Sequence, residues 1–217
     1  MNVNAVYKDL IRFSSYAAPI DLSFNQYLLL APNSVLIHTG NVNIARGLTQ
    51  QLKEALQGRE LAYIYASHFE ADECGGLGVI LEAFPKARVL CSEVTARQLN
   101  GFGLSGDVLP QRNTDKLATD DYELEFITYP SEMHLWDGLL LVENKRKILF
   151  SSDLVLRHGE VKEAAIDDDI YNELSSISHD QIPDEAKRQT LIQALQKRDI
   201  DFIATGHGIC VKKGPVK

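Results

Sequence analysis

Cysteine is too sparse and too scattered in this sequence to hold a fold together. Cys74, Cys91 and Cys210 form an odd set with no Cys-x-x-Cys pair. That excludes a disulfide framework and points to a reducing cytoplasm. Positive charge is also in short supply. Lysine and arginine total 22 against 30 aspartates and glutamates, a net charge of −8. Nucleic acids and anionic membranes both demand a basic face, so neither is an expected partner. Long apolar runs are missing as well: a stretch such as 27–31 is one strand's worth and cannot span a bilayer. Met1-Asn2-Val3-Asn4 does not lead from a basic region into an apolar one, so no signal peptide is expected. What is left is an ordinary globular composition, 45% hydrophobic and 24% charged. The sequence predicts a soluble, cytoplasmic protein whose residues 1–217 form a single domain.

The pattern along the chain mixes hairpins with strand–helix units. Residues 24–31 and 35–38 flank the turn cluster Pro32-Asn33-Ser34 and read as a hairpin. Ile44, Leu48, Leu52 and Leu56 recur every four residues, the spacing of one helix face, and Gly58 is placed to close that helix. Residues 61–66 are nearly continuously apolar, as in a strand buried on both faces. Further helices are predicted over 77–84, over 93–99 with Ser92 as N-cap, and over 186–198. Strands are predicted over 88–91, 122–129, 139–142, 147–150 and 202–204, while 159–183 is too charged to assign. Strand pairs and helices alternate in both halves of the chain, which implies two sheets covered by helices, an α/β (α+β) architecture.

Chemistry-bearing residues gather just beyond predicted strands. His68, Glu70 and Asp72 follow 61–66, in Ser67-His68-Phe69-Glu70-Ala71-Asp72-Glu73. His134 follows 122–129, Asp153 follows Phe150-Ser151-Ser152, and His207 sits in Gly206-His207-Gly208 after 202–204. The chain has 6 histidines, so three of them at strand ends beside carboxylates or glycines is a concentration. Loops at one sheet edge can converge on a shared cleft. Imidazole nitrogen and carboxylate oxygen donors without cysteine suit iron, manganese or zinc. Taken singly, each of these residues has a structural explanation, such as a hydrogen-bonded loop histidine or an aspartate turn former. Their shared order favours ligands.

His-x-Glu-x-Asp at 68–72, then His134, Phe-Ser-Ser-Asp at 150–153 and Gly-His-Gly at 206–208 resemble the metallo-β-lactamase superfamily, and within it the diiron domain of flavodiiron proteins. The resemblance covers nearly the whole chain in motif order. It implies an αββα metallo-β-lactamase-like sandwich with two iron ions at one edge. It implies His68, Glu70, His134 and Asp153 around one iron, and Asp72, Asp153 and His207 around the other. Glu70 separates this set from the superfamily's zinc hydrolases, which usually place histidine there, and carboxylate moves the site toward a harder, redox-active ion.

Two departures from the family pattern stand out. Glu73 occupies a position that is histidine in most of the superfamily. Either it enters the centre and neutralises a diferrous pair, or it points away and leaves a position open. The chain also ends shortly after His207 without a flavodoxin-like domain to carry FMN. His38 stands where the superfamily commonly has aspartate, and is expected to support the ligands rather than to be one. The function so implied is binding of O2 or NO at a diiron centre, as a gas reductase or as an oxygen sensor. Electrons would come from a separate flavoprotein or rubredoxin-like donor, and a sensor would act on a signalling partner. The alternatives are a dinuclear zinc hydrolase, against which Glu70 argues, and a metal-free binding module, against which the complete ligand set argues.

Overall fold

Side chains alternate along the central strands between two apolar layers, and that alternation sets the architecture. The computed structural model describes residues 1–104, 106–131 and 136–215. The first half runs β1 (Asn2–Tyr7), β2 (Leu10–Ala17), a 3-10 turn at Ala18–Ile20, β3 (Leu22–Leu29), β4 (Asn33–Ile37), α1 (Val42–Leu56) and β5 (Glu60–Tyr65). It continues through α2 (Ala71–Cys74), α3 (Leu77–Ala83), β6 (Arg88–Ser92), α4 (Glu93–Gly101) and β7 (Val108–Gln111). The second half contains β8 (Lys116–Ala118), β9 (Glu123–Ser131), β10 (Trp136–Glu143), β11 (Ile148–Leu156) and β12 (Ala165–Asp168). It ends with α5 (Ile170–Ser175), α6 (Glu185–Gln196), β13 (Phe202–His207) and β14 (Cys210–Lys213).

Neighbouring strands follow the order β7-β6-β5-β4-β3-β13-β11-β10-β9-β8, with β2 and β1 beyond β3, and β14 and β12 beyond β13. β4 to β7 are parallel and use α1, α3 and α4 in their crossovers. β9, β10 and β11 form an antiparallel meander. Between the halves, β3 and β13 share a single register pair, Phe24 with His207. Tyr27, Leu29, Ile37 and Tyr65 pack in one cluster with Phe126, Leu141, Phe150 and Phe202 of the other half. Their strand neighbours Leu28, Leu36 and Ile64 turn the other way, onto Leu48, Leu52 and Ile80 of α1 and α3. Leu140, Val142 and Leu149 likewise turn onto Leu174, Leu191 and Leu195 of α5 and α6. The layers are therefore helix, sheet, sheet, helix, the αββα sandwich expected from the sequence. No helix among the described residues is long and apolar enough to cross a membrane.

The structure adjusts several expected boundaries. α1 begins at Val42 because the Asn41 side chain accepts from the backbone N–H groups of Asn43 and Ile44. It is closed by Gln57 in the left-handed region (φ 50°), with Gly58 (φ 86°) following in the same region. β11 does not stop at Phe150. Its pairing with β13 shifts register around Ser152, which is left-handed at φ 48°, and the strand continues to Leu156. Asp153 therefore lies inside β11, and His207 is the last residue of β13 rather than beyond it. The charged stretch 159–183 holds β12 and α5. β1, β7, β8, β12 and β14 are short or rimmed by exposed polar residues, which conceals their period of two.

Two glycines test this packing in opposite directions. A Cβ at Gly76 would lie 2.3 Å from Ala45 Cβ and 2.9 Å from the Gly40 carbonyl oxygen, whereas at Gly47, within α1, it would meet nothing within 4 Å. Gly76→Ala is expected to destabilise the protein by about 1–3 kcal/mol through overpacking. Gly47→Ala should stabilise it by about 0.5–1 kcal/mol through reduced chain entropy. Urea unfolding midpoints of the two variants measure both effects, and similar shifts of the same sign would contradict the packing described.

Candidate metal centre

The crossover topology brings the far ends of β4, β5, β11 and β13 to one edge, where the two halves meet. His68 leaves the end of β5 with its Nε2 3.0 Å from Glu70 Oε2, 3.5 Å from Asp153 Oδ2 and 3.7 Å from Glu73 Oε2. His207, the last residue of β13, points Nε2 3.3 Å from Asp153 Oδ1 and 3.4 Å from Asp72 Oδ2. Asp153 thus offers one oxygen to each imidazole. Two groups of donor atoms result, His68 with Glu70 and Glu73, and Asp72 with Glu73 and His207, each within 4.8 Å of mutual contact.

The short helix α2 explains how successive residues serve both groups. The Glu70 carbonyl starts it by accepting from the Cys74 N–H at 3.0 Å. A helical offset of roughly 100° then separates Asp72 from Glu73, so the first reaches His207 and the second also approaches His68. The Glu73 carbonyl accepts from the Thr39 N–H at 2.8 Å, and the Gly76 N–H donates to the Gly40 carbonyl at 2.7 Å. These bonds pin the loop to the segment between β4 and α1. At the other wall, the left-handed backbone of Ser152 bends β11 and delivers Asp153 to the seam.

Charge crowding dominates the electrostatics. Burial, then the charges of Asp153 and Asp72, push the Glu73 carboxyl well above the usual carboxylate range. Its Oε2 is buried and accepts no hydrogen bond. Burial also works against ionised Asp153, but His207 and His68 outweigh it and hold this carboxyl below its ordinary value. For His207, burial favours the neutral ring, and the contact with Asp153 reverses that and raises it. Burial, reinforced by His68, lowers His38 to about 3, so this ring is neutral. His38 stacks on Tyr65 with centroids 6.0 Å apart, and its buried Nε2 has no hydrogen-bond partner. The Cys74 thiol is pushed up to about 11 by burial and donates to the Glu70 carbonyl, so it packs rather than ligates.

Five of the sequence-derived candidates, His68, Glu70, Asp72, Asp153 and His207, therefore converge. Glu73 joins them in the interior, with a side chain 2% exposed, whereas Glu70 sits at the mouth with 42% exposure. His134 lies outside the described residues. His38 stands behind the cluster. Sequence reading passed over Ser67 and Ser152, whose hydroxyls face His68 Nδ1 at 3.0 and 3.5 Å; nothing in their spacing marks them. The donor set fits a pair of cations: an orphaned buried carboxylate oxygen, two groups of donors and a carboxylate shared between imidazoles all call for positive charge.

A cluster of histidines and carboxylates at the edge of an αββα sandwich defines a metallo-β-lactamase-like protein. Residues 22–208 match the family model described as ODP family beta lactamase, and the chain belongs to that family. It is 24% identical over 212 residues to the anaerobic nitric oxide reductase flavorubredoxin of Vibrio vulnificus, covering 90% of this chain and 41% of the relative. The flavodiiron core of Flv1 from Synechocystis superposes with a TM-score of 0.80 at 21% identity, over 97% of this chain and 57% of the other. Rubredoxin oxygen:oxidoreductase from Desulfovibrio gigas gives 0.81 at 14% identity, over 98% and 58%. The fold is that of the flavodiiron core. The chain spans about half the length of the curated relatives it matches.

Glu73 provides a test in the metal-free protein. Its carboxyl is raised on folding, so the folded state binds this proton more tightly than the unfolded chain. Its contribution to stability is full below the ordinary glutamate value of about 4.3 and is lost as pH rises above it. Chelator-treated protein should therefore lose stability on this account as pH rises from the ordinary glutamate value through the raised folded-state one. Glu73→Gln, which cannot ionise, should flatten that slope and be the more stable form at the upper pH. Parallel urea titrations with the same pH dependence in both proteins would show Glu73 to be solvated.

Proposed function

We propose that this chain is a non-haem diiron protein that binds O2 or NO, and that residues 1–217 act as one domain. The observation that carries the reading is the sharing of Asp153 between His68 and His207, with Glu70, Glu73 and Asp72 completing two groups around it. His68, Glu70 and Asp153, with His134, would hold one iron; Asp72, Asp153, His207 and Glu73 would hold the other. When bound, the iron pair supplies reducing equivalents and a place for a diatomic gas. The protein's part is to hold the pair in a mostly buried setting, to leave the mouth open beside Glu70, and to balance charge.

Charge balance gives Glu73 a specific part. Glu70, Asp72, Glu73 and Asp153 carry four negative charges, equal to the positive charge of a diferrous pair. A formally neutral reduced centre favours oxidation, so Glu73 lowers the potential. The relatives supply the reaction class: one is named for anaerobic nitric oxide reduction, and one solved structure for oxygen reduction with rubredoxin. Turnover by this chain would draw electrons from a separate flavoprotein or rubredoxin-like donor; without one, gas binding serves as a signal. Iron is favoured over zinc by Glu70, which puts a hard oxygen donor where a zinc hydrolase has nitrogen.

Protein purified without added metal should contain both irons, and its reduced form should change colour on meeting O2 or NO. Bound zinc with esterase or phosphodiesterase activity would establish a hydrolase instead. Asp153→Ala should weaken binding of both ions by more than about 100-fold, since even partners of ligands are worth 10–100-fold; loss of one ion alone would show that Asp153 is not shared. Glu73→His should raise the midpoint potential and alter the optical spectrum of the iron-loaded protein. An unaltered spectrum would make Glu73 a bystander.

A further inference from the structure

Three consecutive residues of β3 reach across the seam to the turn that carries His207. The Ser23 carbonyl accepts from the Gly208 N–H at 3.2 Å and lies 3.3 Å from His207 Nδ1. The Phe24 ring meets the imidazole edge to face, with centroids 5.0 Å apart and planes at 86°. Asn25 donates from Nδ2 to the Thr205 carbonyl at 3.1 Å and to the Gly208 carbonyl at 2.7 Å. Those carbonyls stand two residues before His207 and one after it, so a single side chain spans the residue. Ser23, Asn25 and Thr205 are all buried, which shields these bonds from water.

A carbonyl can only accept, so Ser23 fixes the proton of a neutral His207 ring on Nδ1. The lone pair is left on Nε2, the atom that faces Asp72 and Asp153. That bond lasts only while the turn keeps its distance from β3, and the chain is reversing there. β13 ends at His207, Gly208 is left-handed at φ 82°, and β14 begins at Cys210. β3 and β13 share a single register pair, so a side chain supplies what a ladder of backbone bonds supplies elsewhere. An amide nitrogen is suited to this because it carries two protons, one for each carbonyl. The reversed amide would set its oxygen against both carbonyls, so the partners also fix its orientation. Thr205 Oγ1 donates to the Gly208 carbonyl too, at 3.1 Å, but it belongs to the same turn and cannot hold it against β3.

We propose that Asn25 is a positioning residue for His207, holding the turn where the Ser23 carbonyl sets the ring's proton and Nε2 faces Asp72 and Asp153. The inference rests on the metal-centre reading, because only a cation gives the Nε2 lone pair its importance. The outer partner of a ligating histidine sets its tautomer and ring orientation, and Asn25 keeps that partner in reach. The two ions should therefore respond unequally: the one at Asp72 and His207 depends on Asn25, and the one at His68 and Glu70 does not.

Co(II) alone serves as the probe, followed by titration and by the shifted, solvent-exchangeable N–H resonances of coordinated histidines in the NMR spectrum. Asn25→Ala should weaken one of the two ions by about 10-fold and leave the other as in the wild type. It should also shift the His207 N–H and speed its exchange, while the His68 signals stay in place. Tyr27→Phe controls for lost stability, because the Tyr27 hydroxyl donates to the same Thr205 carbonyl at 2.7 Å and meets Cys210 Sγ at 3.2 Å. It should lower the urea midpoint of the metal-free protein without moving the His207 resonance, since Asn25 still spans the turn. Should Asn25→Ala fail to fold, Asn25→Ser takes its place with the same expectation, its one proton serving one carbonyl at most. Equal weakening of both ions, an unmoved His207 resonance in the Asn25 variant, or the same change in Tyr27→Phe would overturn the positioning role with the metal centre intact. A wild-type protein that binds no Co(II) would instead remove the metal-centre reading, and this inference with it.

Discussion

Four carboxylates and two imidazoles held at one seam impose the constraint around which this structure is organised. Like charges brought together out of water oppose folding, and they can be tolerated only by protonation or by a counter-charge. The protein shows both responses. Glu73, deepest and least solvated, is driven toward its protonated form, whereas Asp153 stays ionised because an imidazole stands at each of its oxygens. The surrounding scaffold keeps these groups from moving apart. Backbone bonds from Thr39 and Gly76 fasten the carboxylate-bearing loop, and the helix α1 packs behind it through Ala45 and Leu48. A pair of cations would resolve the repulsion in one step, and the donor groups are placed to hold one.

Much of this was legible in the sequence because the candidate ligands sit where chain direction is easiest to infer. Apolar runs such as 61–66 mark buried strands, and polar groups immediately after them must lie at a sheet edge. That logic located His68, Glu70 and Asp72, and the order of the later motifs located Asp153 and His207. It misjudged how far two strands continue. β11 carries Asp153 within it because Ser152 adopts a left-handed conformation, and no property of serine announces such a turn. The outer strands were hidden for a different reason. β1 and β12 bury little, so their side chains are free to be polar, and alternation disappears.

Glu73 shows where one-dimensional reading runs out. A glutamate in an Ala-Asp-Glu-Cys loop is by composition a solvated residue, and only the pitch of α2 turns it inward. The same helix also lets two adjacent acids address different partners, which an extended loop would do by sending them to opposite faces. His38 is expected from the sequence to support the ligands rather than to be one, and its ring stacks on Tyr65 with its own backbone at φ 62°. A strained backbone beside a charged site fits a part in support.

The joint between the two sheet halves has a further consequence. They are joined by one register pair, Phe24 with His207, and the donors divide across that joint. His68, Glu70, Asp72 and Glu73 belong to one side, and Asp153 and His207 to the other. An occupied centre would therefore act as a clasp, adding to the bonds that cross the same edge from the Leu139 N–H to the Ser67 carbonyl and from the Gly208 N–H to the Ser23 carbonyl. Tightening or slackening that clasp would alter how firmly the layers are held, so an event at the ions has a ready mechanical route to the outer helices.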